Sequence, residues 1–106
     1  MTNASKEFLS LLGYVFLEHG QGPKAVTVFE GLHAIDPTDV ATSRRLAFAY
    51  LMNERFADCL RHGDAHMDRF PTDPELEMVR LARGRALWNL GRQNEARRVA
   101  KRTLGV

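Results

Sequence analysis

The chain has 106 residues, 44% hydrophobic and 26% charged, with a formal net charge of +2 and a single cysteine. That length suits one domain with a self-supporting core. No run approaches the 18 apolar residues a membrane span needs, and the lone Cys59 excludes an internal disulfide. The opening Met-Thr-Asn-Ala-Ser-Lys-Glu lacks a charged region followed by an apolar one, so no signal peptide is expected and the cytoplasm is the default compartment.

Six helices are predicted in chain order. The first runs from about Ser5 to His19, where Phe8, Leu9, Leu11, Leu12, Val15 and Phe16 recur at helical spacing and Gly20 stops the run. Pro23 opens the second, because its missing N–H costs nothing in the first turn; Ala25, Val26, Val28, Phe29 and Leu32 form its buried stripe. Asp36-Pro37-Thr38-Asp39 breaks the chain, and Thr38 or Asp39 caps a third helix carrying Leu46, Ala47, Phe48, Tyr50 and Leu51. Asn53-Glu54-Arg55 is a tight connection to a fourth helix that extends to about Phe70. Asp73 caps and Pro74 starts a fifth, which ends near Leu90-Gly91; the sixth runs from about Gln93 to Leu104. Period-two alternation is scarce, so the fold class is all-α.

The elements repeat. Leu12-Gly13, Ala25, Phe29 and Pro37 carry the L-G pair, small residue, aromatic and terminal proline of a tetratricopeptide repeat. Shifted by 34, the pattern falls on Leu46-Ala47, Tyr50, Cys59 and Pro71; shifted again by 37, on Gly84, Leu87, Gly91 and Ala96. The expectation is three helix pairs, at about 6–39, 40–73 and 74–106, stacked as a short right-handed solenoid in one domain. Gly63 stands where the repeat places an aromatic, and should either let helices approach closely or mark a weak spot.

Such repeats hold other chains rather than catalyse. The first helix of each pair would line a concave face presenting Tyr14 and Leu17, then Arg44, Phe48, Leu51 and Met52, then Met78, Leu81, Arg85 and Trp88. Large apolar side chains left in water cost about 1.5–3 kcal/mol each relative to burial, so this face reads as a groove for an amphipathic helix. A second copy, or the chain's own end, would satisfy it too. Helix six repeats the question: Ala96, Val99, Ala100 and Leu104 form an apolar stripe with no following helix, and its small residues are expected to pack on helix five.

Charge is asymmetric. Residues 1–79 hold seven Lys/Arg against twelve Asp/Glu, whereas residues 80–106 hold eight Lys/Arg against Glu95 alone. A solvated outer face or an acidic protein partner accounts for this better than nucleic acid, since no aromatic follows Trp88 to interleave with the cations. Cys59, His62 and His66 share one helix, but a fourth zinc ligand is lacking and packing is the favoured reading. No phosphate loop, nucleophile elbow or carboxylate pair in a cleft is present, so no enzyme activity, metal or cofactor is expected.

At Glu7-Phe8-Leu9-Ser10-Leu11-Leu12-Gly13-Tyr14, His19-Gly20 and Arg44-Arg45-Leu46 the chain resembles the small tetratricopeptide chaperones of bacterial type III secretion. Among them it is most similar to the Y-type that pairs with an X-type export substrate. The resemblance implies a non-enzymatic cytoplasmic bacterial chaperone that forms a heterodimer with a small helical X-type partner, keeps it soluble and delivers it to the cytosolic domain of the export-gate protein. The basic third repeat would be the second contact, to the gate. A generic repeat scaffold or homodimer unrelated to secretion is the alternative.

Overall fold

The computed structural model describes residues 1–105, and all regular structure among them is helical. Six helices follow one another: α1 (Asn3–Glu18), α2 (Gly22–Ile35), α3 (Val40–Met52), α4 (Phe56–Arg69), α5 (Leu76–Asn89) and α6 (Gln93–Leu104). Caps set several boundaries. Thr2 accepts a bond from Ser5 N at 3.1 Å, so α1 starts two residues earlier than its apolar pattern suggests. Asp39, rather than Thr38, caps α3 by accepting from Ala41 N and Thr42 N. Asp73 does not cap α5, which begins at Leu76; its carboxylate has other work, described below.

The connections repeat with the sequence. The three turns that close α1, α3 and α5 have one geometry. Gln21 N donates to Phe16 O, Arg55 N to Tyr50 O and Arg92 N to Leu87 O, at 2.7, 2.9 and 2.9 Å. These bonds reach back over the last helical turn and satisfy its orphan carbonyls. Each turn needs one left-handed residue: Gly20 (φ 71°), Glu54 (φ 58°) and Gly91 (φ 82°), spaced by the same 34 and 37 residues. Repeat two thus holds a glutamate where a Cβ is disfavoured. The breaks after α2 and α4 match as well, with Asp39 N donating to Asp36 O and Asp73 N to Phe70 O.

Each helix packs on its sequence neighbours, and α3 additionally touches α1 and α5. The odd helices therefore form one layer with α3 in the middle. The molecule measures 43 × 30 × 19 Å, and its radius of gyration of 13.9 Å slightly exceeds the roughly 13 Å of a compact chain this long. The core runs through Val26, Phe29, Leu32, Leu46, Ala49, Tyr50, Leu51, Cys59, Leu60, Ala82, Ala86, Leu87 and Ala96. Gly13 makes one close approach possible: a Cβ there would lie 2.6 Å from Cζ of Phe29. Gly63 does not, since a Cβ there would meet Val79 at an ordinary 3.7 Å. The close-approach reading of Gly63 therefore fails, because α5 stands back far enough to admit a methyl group.

Candidate functional site: the face of the odd helices

A cleft of about 300 Å³ opens along the layer of odd helices. Tyr14 and Leu17 of α1, Ala41, Arg44, Arg45, Ala47 and Phe48 of α3, and Glu75, Met78, Val79 and Ala82 line it. Five of the ten residues expected on this face are thus in the cleft wall: Tyr14, Leu17, Arg44, Phe48 and Met78. Their exposure is uneven. Phe48 is 44% exposed, Met78 56% and Tyr14 41%, while Leu17 is half-buried against the core.

Helical spacing carries the surface beyond the cleft. Met78, Leu81, Arg85 and Trp88 fall on one stripe of α5, all exposed, with Leu81 at 50% and Trp88 at 48%. Met52, 53% exposed, continues the α3 stripe. Leu51 does not belong to it. It is 7% exposed and part of the core, because the central helix α3 is covered by α2, α4 and its two odd neighbours, leaving only a narrow stripe free.

The cleft walls are held by specific bonds. The Tyr14 ring packs edge-on to Phe29 with centroids 5.9 Å apart, and its hydroxyl accepts from Arg45 Nε at 3.1 Å. Arg44 is not a free groove cation. One Nη donates to Asp73 at 2.6 Å and the other to Glu75 at 2.6 Å, which ties α3 to the segment entering α5. Arg85 makes no ion pair among the described residues.

Beneath the cleft floor lies a polar network that the sequence pattern did not announce. Ser43, His66 and Asp73 are 1%, 1% and 8% exposed. His66 Nε2 donates to Asp73 at 2.8 Å, and Nδ1 accepts from the Ser43 hydroxyl at 2.8 Å. His62 Nε2 donates to the Ser43 carbonyl at 2.9 Å and stacks edge-on with His33 at 5.1 Å. Burial pushes the His62 pKa below its ordinary value. Burial opposes ionisation of Asp73, but the Glu75 N–H, His66 and Arg44 together hold its carboxyl below the usual range. Serine, histidine and aspartate in a chain suggest a hydrolytic triad, yet the ring nitrogens are reversed: the carboxylate is on Nε2 and the hydroxyl on Nδ1. With Ser43 sealed from solvent, no substrate reaches it. The network bolts α3, α4 and the α4–α5 turn together. Cys59 is equally enclosed, its thiol raised to about 11 by burial. His62 and His66 are spent on Ser43 and Asp73, and among the described residues no cluster of His, Cys, Asp or Glu has the makings of a metal site.

A further apolar surface lies on α1. Phe8, Leu11 and Val15, which share its helical spacing, are 64%, 61% and 38% exposed. They form their own stripe on α1, with Leu11 at the edge of a shallow groove shared with Asp39 and Arg45. The signal was present in the spacing: 8, 11 and 15 are offset from 9, 12 and 16, so the helix is apolar on two faces. At the other end, Ala96 is buried and Val99 packs on Gly84, as its small neighbours suggest, but Ala100 is exposed and Leu104 is 76% exposed. The stripe on α6 therefore closes only over its first half.

No described helix is long and apolar enough to cross a membrane. Comparison with protein-family models and with curated proteins gives no match.

Proposed function

We propose that this chain is a short tetratricopeptide-like solenoid that holds an amphipathic helix of another protein on the face formed by α1, α3 and α5. The observation that carries the reading is the exposed apolar stripe of Tyr14, Phe48, Met78, Leu81 and Trp88 around an open cleft. Anchors at i, i+3/i+4 and i+7 of a partner helix match such a surface. The equivalent turns at spacings of 34 and 37 support the repeat assignment. The resemblance at Glu7–Tyr14 and Arg44–Leu46 narrows the proposal to a non-enzymatic cytoplasmic chaperone of bacterial type III secretion, with an X-type export substrate as ligand and the export gate as the receiving site.

The test is co-purification of the tagged chain from its native host, in parallel with Phe48→Asp. Phe48 is half-exposed and outside the core, so the variant should unfold like the parent. A small secreted helical protein recovered with the parent and lost with the variant supports the reading; equal recovery from both removes the cleft as its site.

The outer stripe of α1 favours a second reading, self-association. Phe8 and Leu11 together are a substantial uncovered apolar surface at the open end of the stack. A dimer in light scattering that Phe8→Asp dissociates, and Phe48→Asp does not, would place the self-contact there.

A further inference from the structure

Charge segregation in the sequence survives folding. Of the eight cations beyond residue 79, three are paired: Arg80 with Glu77, Arg83 with Asp64 and Arg92 with Glu95. Arg85, Arg97, Arg98, Lys101 and Arg102 have no carboxylate partner among the described residues. Two of the five reach the face of the odd helices. Arg85 stands on the same stripe as Met78, Leu81 and Trp88, and Arg97 lays its guanidinium over the Trp88 ring at 5.8 Å from the centroid. The face thus has an apolar end, at Tyr14, Phe48 and Met78, and a cationic end, at Arg85, Trp88 and Arg97. At the apolar end Arg44 is neutralised by Asp73 and Glu75, and Arg45, which donates to the neutral Tyr14 hydroxyl, is the single cation there without a carboxylate partner among the described residues.

We infer that the helix held on this face is acidic at one end, with apolar anchors in the Phe48–Met78 cleft and carboxylates on Arg85 and Arg97. The inference rests on the proposed function and adds the partner's chemistry and direction. Met78 and Arg85 are seven residues apart on α5, about 10 Å along the axis, so a ligand helix lying along α5 presents its acidic group some seven residues from its apolar anchor. Nucleic acid fits less well. The cationic end carries a single aromatic, Trp88, with Arg97 over its ring, whereas stacking along a strand uses several, and a phosphate backbone has no use for the apolar end. Arg98, Lys101 and Arg102 on the outer side of α6 add a positive field that steers an acidic ligand to this end.

The experiment uses three fluorescently labelled synthetic helical peptides with one apolar face, Leu at i, i+4 and i+7, and one end carrying Glu, Gln or Lys. Anisotropy titrations at low salt are expected to rank them Glu, Gln, Lys, with Glu about tenfold tighter than Gln, as two partly exposed charge pairs provide. The gap should narrow as salt rises. The Arg85→Glu/Arg97→Glu double variant should reverse the ranking, circular dichroism verifying its fold. Equal binding of all three peptides overturns the charged end and leaves the apolar groove standing. Binding of none overturns both. A single-stranded oligonucleotide that binds the parent more tightly than the Glu peptide, and is lost in the double variant, assigns the cationic end to nucleic acid instead.

Discussion

Replacing Asp73 by alanine should cost about 3–5 kcal/mol, the range for removing one partner of a buried ion pair. The structure sets the terms. The carboxylate is fully enclosed and accepts from Arg44 at 2.6 Å, His66 at 2.8 Å and Glu75 N at 3.0 Å. Each bond to a charged group is worth about 1.5–3 kcal/mol, but they do not sum, because Arg44 keeps Glu75 as an alternative partner. What cannot be rescued is His66, whose Nε2–H would face a cavity from a position 1% exposed. A chain of this length has about 5–16 kcal/mol of stability, so the variant should fold with a thermal midpoint lower by roughly 12 °C or more. Urea unfolding followed at 222 nm measures it. Glu75→Ala is the control: it removes the other half of the Arg44 fork, but that carboxylate is 53% exposed and should matter by less than about 1 kcal/mol. If the two variants lose the same stability, or Asp73→Ala loses less than about 1 kcal/mol, the network is not a structural bolt.

Gly13→Ala drives a methyl into the Phe29 ring and should cost about 1–3 kcal/mol by overpacking; an unchanged urea midpoint would mean that α1 shifts freely. Glu54→Gly removes a Cβ from a left-handed residue and should raise the melting temperature, by up to about 1 kcal/mol in stability; a lower melting temperature would refute strain there. His62 has a depressed pKa when folded, so the unfolded chain binds its proton more readily and stability falls as pH drops below about 6.5. Urea unfolding between pH 7 and 5 should show a steeper loss in the parent than in His62→Gln, and equal slopes would reject the assignment.

Periodicity and punctuation by themselves determined that the chain is helical, how many helices it forms and where they turn. These are local properties: a stripe at 3.6 residues, a proline that cannot donate, a glycine at positive φ. The spacing of 34 and 37 residues carried further, to turns of equivalent geometry, since identical short-range bonds need only matching neighbours in sequence. The face of the odd helices was legible for the same reason, once repeat positions assigned Tyr14, Phe48 and Met78 to one side. Only tertiary structure decided which apolar and polar residues are covered. Leu51 and Phe48 are three residues apart on one helix, yet one is core and the other free, because α3 alone has neighbours on nearly every side. Phe8 and Leu11 share the helical spacing of α1 with its packed residues, yet are bare because nothing packs on the outer side of α1. Ser43, His62, His66 and Asp73 are separated by up to 30 positions; the sequence reads the histidines as packing residues and Asp73 as a helix cap, and nothing local joins them into one network. Burial and pairing are properties of what lies opposite, and that was set by the stacking of the helices.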